Sequence, residues 1–138
     1  MTVTGSLTNF NSSTNTLSSG TYTVGGTFGF TGANIVNNAA NLTLTGTSAK
    51  ILNGTTNGLA NFANNTGTFT LSGNANLTSG AANFSNTGTA VVSHGSTLTV
   101  GGTNDSYNQS GGKTTVDGTV STTGSGQVNI LSLPRIKR

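Results

Sequence analysis

The sequence predicts an all-β, single-domain parallel β-helix, a triangular solenoid of about six coils of roughly 21 residues. Three observations predict it: a composition poor in helix formers, short runs with every second residue apolar, and a glycine series at near-constant spacing. The chain has 138 residues, a length suited to one domain, and 21 Gly, 28 Thr, 19 Asn and 16 Ser among them. Apolar residues make up 31 % and charged residues 5 %, with no Cys and no Trp. So little apolar material cannot fill a thick two-layer core. Disordered chains usually carry high net charge and few β-branched residues, whereas this one is rich in Thr, Val and Ile. Gly, Asn and Thr also disfavour helix.

The period is carried by Gly5, Gly26, Gly46, Gly67, Gly88 and Gly111, which are separated by 21, 20, 21, 21 and 23 residues. A hydroxyl and then alternating apolar residues follow: GTFGFTG (26–32), GTSAKILNG (46–54), GTFTLSG (67–73), GTAVVSHG (88–95) and GKTTVDG (112–118). A second run closes on its own turn residue in NANLTSG (74–80), STLTVGG (96–102) and TVSTTG (119–124). A third appears in AANLTLTG (39–46), LANFANNTG (59–67), AANFSNTG (81–88) and NDSYNQSGG (104–112). Three short strands per period, joined where Gly or Asn permits positive φ, make one coil.

Coils are expected near 5–25, 26–45, 46–66, 67–87, 88–111 and 112–132, with 133–138 as a basic tail that caps the stack or reaches another subunit. At strand spacing the stack would be about 29 Å tall, and parallel crossovers favour a right-handed wind. Alternation turns Phe28/Phe30, Ala49/Ile51, Phe69/Leu71, Ala90/Val92 and Thr114/Val116 inward in the first strand. In the third strand the inward column is expected to be Leu42, Phe62, Phe84 and Tyr107, continued by Val128. One residue earlier, Asn41, Asn61 and Asn83 are expected to form a side-chain ladder, a structural rather than catalytic feature.

Chemistry is sparse. The net charge of +3 comes from Arg135, Lys137 and Arg138; upstream, Lys50 and Lys113 balance Asp105 and Asp117. Nucleic-acid binding rests on a basic face, and none exists here. No run approaches the ~20 apolar residues of a membrane-spanning helix. Glycoside hydrolysis needs two carboxyl groups about 5–10 Å apart. Asp105 and Asp117 fall at different corners, and Asp117 is expected to pair with Lys113 on the surface. His94, in the turn Ser93-His94-Gly95, has no carboxylate in register to orient it. GGTND (101–105) lacks the Gly and Asp that a calcium-binding nonapeptide would place at Asn104 and Ser106. No enzyme activity, metal or cofactor is therefore expected. Thr-x-Thr pairs at Thr2/Thr4, Thr21/Thr23, Thr43/Thr45, Thr68/Thr70 and Thr97/Thr99 would suit an ice-binding array only on one face, and this register scatters them over several.

The segments AANFSNTGTAVVSHGSTLTVGG (81–102) and YNQSGGKTTVDGTV (107–120) resemble the low-charge, Thr/Asn/Gly-rich β-solenoids of bacterial surface proteins. These include autotransporter passenger regions and filamentous-haemagglutinin-like adhesins. The resemblance implies an extracellular or cell-surface protein. The open solenoid ends, with unpaired N–H and C=O groups and no charged cap at Thr2-Val3-Thr4, point to a structural subunit that assembles end to end with itself into a filament, or forms part of a stalk. The alternative is an adhesin segment whose Asn/Thr-rich faces touch glycans or host surfaces, although Tyr22 is the single aromatic expected to be exposed. Assembly contacts are expected from Thr2, Val3 and Thr4 at one end, and from Leu131, Leu133, Ile136, Arg135, Lys137 and Arg138 at the other.

Overall fold

A computed structural model describes residues 1–102 and 105–131. Every regular element among them is a short strand, and parallel pairing joins one turn of chain to the next. The N-terminal segment forms β1 (Thr2–Val3), β2 (Phe10–Asn11) and β3 (Thr16–Leu17). Five turns follow. The first runs through β4 (Thr21–Val24), β5 (Thr27–Phe30) and β6 (Asn37–Asn38). The second contains β7 (Asn41–Thr45), β8 (Lys50–Asn53), β9 (Thr56–Asn57) and β10 (Asn64–Asn65). The third contains β11 (Thr68–Ser72), β12 (Asn76–Ser79) and β13 (Asn83–Asn86), and the fourth β14 (Thr89–Val92), β15 (Thr97–Val100) and β16 (Ser106–Gln109). The last contains β17 (Lys113–Val116), β18 (Thr119–Thr122) and β19 (Val128–Asn129).

Stacking these turns builds three faces. The first face is an unbroken parallel sheet of five strands in the order β17-β14-β11-β7-β4. The second is split into β1-β5-β8-β9 and β12-β15-β18, because β9 folds back antiparallel on β8 (Asn53↔Thr56, Leu52↔Asn57). The third is the seven-stranded sheet β19-β16-β13-β10-β6-β3-β2, which ends in the antiparallel hairpin of β2 on β3.

The expected parallel β-solenoid is therefore present, with about five turns rather than six. Its register differs from the one counted from glycines. Asn41 pairs with Thr68, an offset of 27 residues, whereas Thr68 pairs with Thr89 at 21. The β8–β9 hairpin and the loop after it lengthen the second turn, and a fixed period carried through them slips by one face. Leu42 accordingly lies on the first face, between Tyr22 and Phe69, and not in a column with Phe62. GTFGFTG and GTSAKILNG supply second-face strands, while GTFTLSG, GTAVVSHG and GKTTVDG supply first-face strands as expected.

The core is a set of columns. On the first face Leu42, Phe69 and Ala90 stack in register, with Leu44, Leu71 and Val92 beside them, all buried. On the third face Phe84 and Tyr107 are register partners with rings stacked at 5.3 Å. Phe62, in the loop before β10, meets Phe84 and Phe69 edge-on at 5.0 and 4.9 Å. Such pairs add about 0.5–1.5 kcal/mol each beyond the area they bury.

The corner between the third and first faces accounts for two glycines of the series, Gly67 and Gly88, and for Gly112 beside Gly111. A Cβ on Gly67 would collide with the Ala40 carbonyl oxygen, one on Gly88 with that of Gly67, and one on Gly112 with that of Gly88. Backbone stacks directly on backbone at these three positions, so a Cβ does not fit there, whereas the turn below carries Ala40 at the same corner.

Candidate functional site

Among the described residues the titratable side chains do not converge. Asp105 is fully buried where the chain passes from the second face to the third. Its Oδ2 accepts hydrogen bonds from Thr123 Oγ1 (2.8 Å), Thr123 N (3.1 Å) and Gly124 N (3.2 Å). Burial pushes the carboxyl pKa up, but these bonds and the Gly102 backbone N–H outweigh it and hold the pKa below the usual aspartate value. Asp105 thus ties the fourth turn to the fifth.

Asp117 is exposed between the first and second faces, where its backbone N–H donates to Val92 O. Among the described residues it makes no ion pair with Lys113, a correction with a simple cause. Four residues along a strand span about 13 Å, unlike the same step on a helix. His94 is exposed in its turn. Among the described residues no three His, Cys, Asp or Glu side chains gather as metal ligands, and no helix is long and apolar enough to cross a membrane.

An Asn ladder does run up the third face, but through other residues. Asn38 Nδ2 donates to Asn65 Oδ1 at 2.8 Å, and Asn65 Nδ2 to Asn86 Oδ1 at 2.8 Å, all three fully buried. Each also donates to carbonyls of the adjoining corner, as Asn65 does to Gly67 O and Thr89 O. Gln109 occupies the next position and donates to Gly112 O. Asn41, Asn61 and Asn83 are instead outward and separate: Asn41 pairs with Thr68, Asn61 Nδ2 donates to Asn34 Oδ1, and Asn83 Oδ1 accepts from Ser106. The buried Asn precedes the Thr-Gly of the corner in NNTG (64–67) and SNTG (85–88), a signal present in the sequence.

The ends of the stack differ. At the N-terminal end Val3 pairs with Phe30, and the Phe10 ring packs edge-on against Phe30 at 5.2 Å. Hairpin β2–β3 closes the third face, and Thr2 and Thr4 are exposed. Among the described residues no strand or hairpin covers the first face in this way. Strand β4 is its edge, and a groove of about 440 Å³ runs beside it, lined by Met1, Leu7, Tyr22, Val24 and Phe28 among others. Tyr22 is half-buried rather than exposed, because its ring leans on Phe28 at 6.2 Å and its hydroxyl accepts from Asn9 Nδ2. At the other end β17 and β18 are edge strands, and Val116, Val128, Ile130 and Leu131 are exposed. Leu133, Arg135, Ile136, Lys137 and Arg138 lie outside the described residues.

The Thr-x-Thr pairs are regrouped by the true register. Thr21/Thr23, Thr43/Thr45 and Thr68/Thr70 all lie on the first face, on adjacent strands, and not on different faces. Thr97/Thr99 belongs to the second face, as does Thr2. No family model, curated protein or solved structure matches the chain.

Proposed function

We propose that this chain is a structural β-solenoid of an extracellular or cell-surface protein, whose turns continue onto another solenoid end to form a filament or a stalk. The observation that carries this reading is the first face. Among the described residues both of its edge strands, β4 and β17, lack an outer partner; each is four residues long, and they run in the same direction. Unpaired strand edges are templates for further pairing. Setting β17 of one copy beside β4 of the next would repeat the pairing that already joins β14 to β17. It would lay Val116 over Val24 and extend the inward columns. The groove beside β4 and the exposed Val116, Val128 and Ile130 give this contact apolar surface to bury. The resemblance to autotransporter passenger regions and haemagglutinin-like adhesins supports the surface location.

Electron microscopy of the purified chain at micromolar concentration tests the reading. Thin fibres are expected, with an axial repeat of about 24 Å for five turns at strand spacing. Asn41 N–H donates to Gly20 O, so the parallel pattern turns the Thr23 N–H toward the open edge. Thr23→Pro removes that donor at an edge position, where proline is tolerated, and is expected to abolish the fibres without unfolding the monomer. Isolated particles at every concentration of the unsubstituted chain would overturn the reading.

A further inference from the structure

The first face also carries an outward lattice. In register from β4 to β17, one outward column is Thr21, Asn41, Thr68, Thr89 and Lys113, and its neighbour is Thr23, Thr43, Thr70, Val91 and Thr115. Seven of these ten positions are threonine. Columns are set by the i, i+2 step of a strand, about 6.7 Å, and rows by the strand spacing of about 4.8 Å. Among the described residues no threonine hydroxyl in either column hydrogen-bonds to another protein group, although all are partly or fully exposed. No charged side chain stands on this face across β4, β7, β11 and β14; Lys113 enters only on the last strand. Threonine is β-branched and stiff about χ1, so the array is preorganised.

Such a surface has little to offer most ligands. Away from the β4 edge, where Thr21 and Thr23 also line the groove, it lacks the concavity of a small-molecule site, and it has neither the aromatic platform of a sugar site nor the charge of a phosphate site. What it offers is a rigid two-dimensional repeat of hydroxyl and methyl groups with free hydrogen-bonding capacity. The partner that matches a repeat is another repeat. Ordered water at the surface of an ice crystal has oxygen spacings close to those of strands in one direction and of alternate residues in the other. We propose that the outward face of the five-stranded sheet binds ice. Waters seated between the two columns, bonded to the hydroxyls and fenced by the methyls, join the crystal lattice. The second face is the internal comparison: its outward columns, Asn76/Thr97/Thr119 and Thr78/Thr99/Ser121, span three strands, and Thr99 Oγ1 and Ser121 Oγ already bond to each other at 3.4 Å. End-to-end assembly is not required for this inference, though it would lengthen the array.

The test is partition of the purified chain into a slowly growing ice hemisphere, together with thermal hysteresis and crystal shape around a single ice crystal in buffer. The chain is expected to enter the ice, facet the crystal and hold a hysteresis gap. Thr70→Tyr, at the centre of the face, is expected to lose most of that gap, whereas Thr78→Tyr on the second face keeps it; circular-dichroism melting checks that both variants fold. Should Thr70→Tyr not fold, Thr43→Ala is expected to show the same loss. Exclusion of the unsubstituted chain from ice overturns the proposal. So does equal loss in Thr78→Tyr, and so does retention on an insoluble polysaccharide in place of ice.

Discussion

At the scale of single residues, the interior is held by polar groups as much as by apolar ones. Asn65 both accepts from Asn38 and donates to Asn86, Gly67 and Thr89, with no water-exposed surface. Asn65→Ala leaves buried partners unpaired, which costs about 1–3 kcal/mol per group. A loss of at least about 2 kcal/mol is expected in denaturant unfolding on that basis. Asn64→Ala, which breaks the half-buried bond to Asn37, is expected to lose under about 1.5 kcal/mol. Asp105 gives a pH signature. Its native pKa is lowered, so its stabilisation is complete above the ordinary aspartate value of about 4 and is lost as pH falls through the lower native value. Melting temperature should therefore fall below pH 4, and Asp105→Asn should melt lower at neutral pH but lose most of that acid dependence.

At the scale of elements, the corner and the strand have different tolerances. Outward strand positions accept many side chains, as Thr, Asn, Val and Lys all do on the first face. The corner accepts Ala40 in the second turn but no side chain at Gly67, Gly88 or Gly112 above it. Gly88→Ala drives a Cβ into the Gly67 carbonyl, and the backbone of two turns must separate to admit it. The expected result is a melting temperature far below that of Gly26→Ala, since a Cβ at Gly26 meets nothing within 4 Å. Equal melting of the two variants would mean that the corner can relax. The β8–β9 hairpin is the other departure from uniform turns. It splits the second face and opens a groove of about 260 Å³ lined by both β8 and β12 residues.

At the scale of the whole molecule, each turn touches only its neighbours, so stability is a sum along the stack. Interior turns have two neighbours and terminal turns one. The last turn is also the most exposed: Val116 and Val128 are 39 % and 38 % accessible, against 1 % for Val92 on the turn before. Amide hydrogen exchange is therefore expected to be slowest in β7, β11 and β14 and fastest in β17, β18 and β19, with fibre formation slowing the latter group. Uniform protection along the stack would contradict nearest-neighbour stacking.

The sequence by itself determined the solenoid and the inward faces of most strands, whereas the reason for the corner glycines Gly67 and Gly88 is contact with the turn before. Alternation and φ preference act over two to four residues and need no knowledge of distant neighbours. Phe69, Leu71, Ala90, Val92, Phe84 and Tyr107 were legible in this way. Only the tertiary structure decided which face each strand joins. NLTLTG (41–46) reads equally well as a first or a third strand, and an inserted hairpin shifts the count without altering any local pattern. That single slip misplaced Leu42 and scattered threonine pairs that pairing gathers on one sheet; the Asn ladder is missed separately, because Asn83 is outward on the same strand whose inward side carries Asn86. Register is a property of two strands at once, fixed by which side chains can share a buried column, so no one segment of the chain contains it.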